Sequence, residues 1–74
     1  MQVLLFGMIA ERAGADCIDL NAADTTELRS MLTERINGLE SLSYAIAVDR
    51  VIINKDMPLT GSEEIAVLPP FAGG

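Results

Sequence analysis

Two adjacent prolines, Pro69 and Pro70, set the sharpest limit on what this chain can fold into. Each fixes φ and removes a backbone donor, so neither a helix nor a sheet ladder runs through them. Regular structure must therefore finish by Leu68, and the apolar run Ala66-Val67-Leu68 reads as the end of a last strand. Paired prolines favour a stiff extended backbone, which pushes the residues beyond them away from the body. Phe71, Ala72, Gly73 and Gly74 come next, and the two glycines have no Cβ to clash in a narrow passage. Extended, Pro69 to Gly74 would span roughly 20 Å. That is enough to enter a deep pocket on another protein and ill suited to chemistry on the chain's own surface. The group such a tail presents at its tip is the α-carboxylate of Gly74. A Gly-Gly end alone would signify only a frayed terminus. Pro-Pro-aromatic-Ala-Gly-Gly straight after a strand is far more specific.

The remainder is one small domain, residues 1–74, with 69–74 as its extended tail. A chain of 74 residues buries only about 60% of its unfolded surface. There is room for one helix on one sheet and little for a substrate cavity. The hydrophobic fraction is 50% and the mean hydropathy +0.34, high for so small a chain. Some apolar surface should stay exposed, and exposed apolar patches mark partner sites. Five basic against eleven acidic residues give a net charge of −6. Nucleic acid and anionic membranes are poor ligands for such a surface, since both need clustered cations. A basic partner groove would suit it, although the charge also serves plain solubility. The lone Cys17 excludes an internal disulfide. No basic-then-apolar leader and no long apolar span are visible, so a cytoplasmic protein is expected.

Taken in order, Val3 to Met8 is apolar on both phases and reads as a buried strand, either central and covered on both faces or, as a single helix favours, covered on one face with the other offered to a partner. Ile9 to Ala15 reads as a connection with at most a helical turn. Cys17 to Leu20 is a short second strand, with Cys17 on its less buried face. Asp24 with Glu27 three residues on fits a capping box, opening a helix whose core stripe is Leu28, Leu32 and Ile36. Asn37-Gly38 stops it. Tyr44, Ile46 and Val48 alternate with Ala45 and Ala47 as a strand. Asp49-Arg50 makes a tight hairpin into Val51-Ile52-Ile53. Leu59 plugs the core from the following loop, and Glu64 to Leu68 is the last strand. The order predicts an α+β, two-layer β-grasp fold: a mixed sheet of about five strands with one main helix on one face, first and last strands parallel.

At these residues the chain resembles the small, sulfur-carrier subunits of molybdopterin synthase, in the ubiquitin-like β-grasp class. The resemblance spans essentially the whole sequence. It is strongest in Pro58-Leu59, Gly61-Ser62-Glu63-Glu64-Ile65 and Pro69-Pro70-Phe71-Ala72-Gly73-Gly74, with Val3-Leu4-Leu5-Phe6-Gly7 resembling the family's first strand. Val67-Leu68 stands where an aromatic pair often precedes the prolines, leaving a smaller anchor. The resemblance implies that Gly74 is the working residue. An ATP-dependent, ubiquitin-activating-like enzyme adenylates its carboxylate, and a sulfur-donating enzyme converts the adenylate to a thiocarboxylate. The tail, Pro69, Pro70, Phe71, Ala72 and Gly73, then threads into the large subunit. Sulfur passes there to cyclic pyranopterin monophosphate, and two transfers build the dithiolene. The resemblance also implies a heterotetramer of two small and two large subunits. Phe6, Leu59, Leu68 and Phe71 are the candidate partner-facing residues.

The residues themselves agree that chemistry must come from elsewhere. The chain has no histidine and one cysteine, whose sequence neighbours Asp16 and Asp19 are acidic rather than the cations that activate a thiol. No metal-ligand cluster and no Gly-rich phosphate loop is present, and no bound cofactor is expected. Lys55, the sole lysine, sits in a polar turn. Two other readings share the Gly-Gly end: a sulfur carrier for another pathway such as thiazole synthesis, and a ubiquitin-like protein modifier. Pro-Pro before the end favours the molybdopterin branch, and the acidic body counts against a modifier.

Overall fold

A computed structural model describes residues 1–69 of the chain. They run as β1 (Gln2–Leu5), α1 (Gly7–Ala13), β2 (Cys17–Asp19), α2 (Thr25–Arg35), a 3-10 turn (Leu39–Ser41), β3 (Ala45–Val48), β4 (Val51–Ile52) and β5 (Ile65–Leu68). The five strands form one mixed sheet in the order β2-β1-β5-β3-β4. β1 and β5 lie parallel at its centre, Val3 beside Ile65 and Leu5 beside Val67. The other neighbours are antiparallel. This is the expected β-grasp architecture, with first and last strands paired as the sequence order requires.

Period-two alternation sorts the side chains. Val3, Leu5, Ile46, Val48, Ile65 and Val67 point to the helical side and are buried there with Leu28, Leu32 and Ile36. The opposite phase aligns Cys17, Leu4, Ala66, Ala47 and Ile52 in one row across the sheet. α2 starts where the sequence places it. Asp24 Oδ1 accepts from Glu27 N–H at 2.8 Å. Glu27 Oε1 in turn accepts from Ala23 N–H at 2.8 Å, one residue before the cap. Leu28, Leu32 and Ile36, spaced by four, fall on one side and meet the sheet. The helix closes at Arg35, and Ile36 is extended yet still buried in the core. Asp49 and Arg50 both adopt left-handed backbone, φ 50° and 70°. That is the two-residue turn whose twist matches its flanking strands.

The first strand is shorter than its apolar run suggests. The chain leaves the sheet at Phe6, turns through Gly7 at φ +57°, and continues as α1. Residues 8–13 are good helix formers, and Gly14, left-handed, donates its N–H to the Ala10 carbonyl at 2.9 Å to close the last turn. The expected connection is therefore a seven-residue helix. Ile9 becomes a core residue, whereas Met8, read as part of the strand, is 49% exposed.

A polar clasp holds the loop before β5 onto α2. Thr25 is fully buried. Its hydroxyl donates to Asp56 Oδ1 at 2.8 Å and accepts from Met57 N–H at 2.9 Å. Arg29 Nε reaches the same carboxylate oxygen at 3.1 Å. Backbone bonds from Thr25 N–H to the Met57 carbonyl and from Leu59 N–H to the Ala23 carbonyl, each 2.9 Å, complete the seam. Leu59 then drops into the core as the expected plug.

Candidate functional site: the exit from the central strand

β5 is a central strand, hydrogen-bonded to β1 on one side and β3 on the other. Its last residue, Leu68, pairs with Ala45 and is half-buried. Pro69 follows outside the ladder. Pro69 therefore stands at the middle of one end of the sheet, beside the point where β1 turns into α1.

Phe6 and Leu68 stand one step beyond the Leu5–Val67 pair on the two central strands, on the phase facing away from the helices. Phe6 is 44% exposed, a large area for an aromatic ring in so small a molecule. Exposed Met8 lies next along α1. Beside Phe6 an open hollow of about 470 Å³ is bounded by Phe6, Gly7, Ala10, Glu11 and Asp16. The exit is thus apolar, with two carboxylates at its rim. Such a surface suits an apolar partner face bearing cations.

The structure brings Phe6, Leu68 and Pro69 together. Leu59 stands apart from them: it is 8% exposed, packed in the core, and its loop is tied to the start of α2. Expected as both plug and partner contact, it is a plug, because burial leaves it little surface to offer. Pro70, Phe71, Ala72, Gly73 and Gly74 lie outside the described residues. Cys17 is exposed on β2, its Sγ accepting from Gln2 Nε2 at 3.3 Å. Among the described residues no group of three or more His, Cys, Asp or Glu side chains could hold a metal ion. No helix there is long and apolar enough to cross a membrane.

Sequence reasoning overlooked Gly7. Its α-carbon lies against the Pro69 ring, with the position of a Cβ only 3.1 Å from Pro69 Cγ. A glycine between a strand and a run of good helix formers is the signal that could have marked it.

The model of the ThiS family matches residues 3–74. The molybdopterin synthase sulfur carrier subunit of Escherichia coli (strain K12) is 33% identical over 81 residues, a match covering 100% of this chain and 99% of that protein. Among solved structures, the complex of subunits 1 and 2 of molybdopterin-converting factor from Helicobacter pylori 26695 holds a similar chain. It superposes with a TM-score of 0.75 at 33% identity, over 99% of this chain and 96% of that one. SAMP1 from Haloferax volcanii, at 20% identity, shares the fold with a TM-score of 0.80 over 99% and 97% of the two chains. A family match running from the first strand through Gly74, together with a relative similar over its full length, shows that the chain belongs to the ThiS family.

Proposed function

We propose that this chain is the sulfur-carrier subunit of a molybdopterin synthase and that the Gly74 carboxylate is its working group. The observation that carries the reading is the full-length identity to a molybdopterin synthase sulfur carrier subunit. The similar chain seen in a complex of two molybdopterin-converting subunits supports a large-subunit partner. The apolar exit at Phe6 and Leu68 supplies a surface such a partner could cover.

The chemistry asks little of this chain except presentation. A carboxylate is a poor electrophile. Attack of its oxygen on the α-phosphorus of ATP, in an activating enzyme, releases pyrophosphate and leaves a glycyl adenylate. Sulfide-level sulfur supplied by a donating enzyme attacks the acyl carbon of that mixed anhydride, expels AMP and leaves a thiocarboxylate on Gly74. The thiocarboxylate donates its sulfur to cyclic pyranopterin monophosphate in the large subunit's active site, and two such transfers complete the dithiolene. Catalytic groups come from the partners. The small chain contributes a thin tail whose prolines reduce the entropy lost on threading. We assign this work to the cytoplasm and the assembly to a heterotetramer of two small and two large chains.

The test is a reconstituted reaction with activating enzyme, ATP, sulfur donor and large subunit. The full chain should gain about 16 Da, the replacement of one carboxylate oxygen by sulfur, and should form molybdopterin. Deletion of Gly74 should abolish both and leave the melting temperature unchanged. Product formation by the Gly74 deletion would falsify the reading. Isopeptide adducts on other proteins would favour a modifier, and activity only with a thiazole-forming partner would favour the other sulfur-carrier pathway.

A further inference from the structure

We propose that Gly7 is a positioning residue for the tail: the absence of a side chain there makes the seat on which Pro69 rests, and so sets the direction in which the remaining residues leave the sheet. The inference builds on the reading of Gly74 as the group presented to partners. β5 is fixed on both sides by its ladders, but Pro69 is beyond them and has no N–H with which to pair. Its orientation must come from packing, and Gly7 is the neighbour against which its ring lies. A Cβ at Gly7 would stand 3.1 Å from Pro69 Cγ and 3.7 Å from both Cβ and Cδ. A pyrrolidine ring cannot swing aside as a flexible side chain would. Either the backbone at 68–69 or the start of α1 must shift.

A small shift at the base grows along the stalk. A tilt of about 5° displaces the tip of a straight six-residue segment by roughly 2 Å, given its extended reach of about 20 Å. Misplacing a reacting group by about 1 Å can cost on the order of 100-fold in rate. Phe6, Met8 and Leu68 lie at the base of this lever, so the surface that docks the body of the chain moves far less than the tip. The expected signature is therefore a lower kcat with an unchanged KM.

Gly14 supplies the matched control. It is also left-handed, at φ +73°, and ends the same short helix, but nothing lies within 4 Å of where its Cβ would be. G7A and G14A thus impose similar backbone strain, and only G7A presses on Pro69. In adenylation by the activating enzyme with ATP, G7A should lower kcat by about 10-fold at constant KM, within the penalty that misplacement can exact. G14A should lower the melting temperature and leave both constants alone. P69A removes Cγ and Cδ, so the effect of G7A should shrink in the P69A background. A second readout does not depend on enzymes. A nitroxide on the exposed, naturally single Cys17 reports by paramagnetic broadening on the Ala72, Gly73 and Gly74 amides. G7A and P69A should each change that pattern, whereas G14A should not. Equal kcat and equal broadening in G7A and G14A would overturn the inference. So would a G7A effect of the same size with and without P69A. Failure of the unsubstituted chain to be adenylated would instead overturn the reading of Gly74, and the nitroxide pattern would still decide on Gly7.

Discussion

The two ends of the central strand pair are closed by different means. At the end where β1 and β5 begin, polar groups knit neighbouring segments together. The Met1 ammonium donates to the Leu20 carbonyl at 2.8 Å and to Asp19 Oδ1 at 3.1 Å. Asp49 and Glu64 exchange two bonds, N–H to carbonyl at 2.8 Å and N–H to Oδ1 at 2.9 Å. Glu63 takes the Thr60 and Gly61 N–H groups, and Thr25 with Asp56 pins the loop to α2. The end where those strands finish is built otherwise. Among the described residues, no side-chain hydrogen bond involves residues 3–16 or 65–69, and Phe6 and Met8 lie exposed. Polar closure secures register without a partner. Bare apolar closure leaves surface that association can bury. The molecule thus separates an end closed by polar bonds from an end whose apolar surface stays bare.

Removing the Thr25 hydroxyl should damage the knit end most. T25V keeps the shape but strands Met57 N–H and takes a donor from Asp56. Loss of such a buried partner costs about 1–3 kcal/mol. Chemical denaturation should show that loss, while sulfur transfer well below the melting temperature stays unchanged. A drop in transfer rate with stability intact would erase the separation of the two ends.

The converse substitution is F6S at the exit. Phe6 is 44% exposed, so losing its covered half should cost the isolated chain about 1–2 kcal/mol of stability. Affinity for the large subunit should fall by about 10-fold, equivalent to ~1.4 kcal/mol, as truncating an aromatic anchor does. Titration calorimetry with the isolated large subunit reads this directly. Unchanged affinity would move the contact surface elsewhere, the cross-sheet row through Leu4 and Ala66 being the next to examine. D24A, a smaller perturbation, should cost α2 about 1 kcal/mol through loss of its N-cap. It should leave that affinity alone.

The knit end was the more legible of the two in the sequence. Asp24 and Glu27 announce a helix start by spacing, and Asp49-Arg50 between apolar runs announces a hairpin. Leu28, Leu32 and Ile36 announce the core face. Each is a local signal, complete within a few residues. The parallel pairing of β1 with β5 followed from element order, and with it the place where the tail leaves. The features that escaped were those set by contact between distant segments. Gly7 matters because Pro69, sixty-two positions on, returns to lie against it. α1 was hidden because Val3 to Met8 is apolar without a break, so periodicity could not show that the strand stops at Leu5. Glycines at both ends of the 8–13 stretch were the available signal. Leu59 is expected in both roles from sequence, since an apolar residue after proline in a loop serves either, and only its burial separates plug from contact.

Acid should loosen the knit end before the exit, and by a smaller amount than the substitutions above. The Asp56 carboxyl is held below the usual range chiefly by the Thr25 hydroxyl, then by the Arg29 side chain. Glu63 is held below it chiefly by the Thr60 N–H. Both groups favour the charged form more in the folded chain than in the unfolded one. Their contribution is complete above the unfolded carboxylate values, about pH 4. It is lost as pH falls through that value and on through the lower folded ones. The melting temperature should therefore decline below about pH 4, and less steeply in D56N and E63Q. Added salt should weaken only the Arg29 part, because that ion pair is exposed whereas the Thr25 and Thr60 donors are neutral. Hydrogen exchange locates the effect. On acidification Met57 and Thr60 amides should lose protection, relative to neutral pH and after correction for intrinsic rates, before the β5 amides that bond to β1 and β3. Simultaneous loss along β5 would mean that the two ends open as one unit, and that the polar seam does not hold its own end independently.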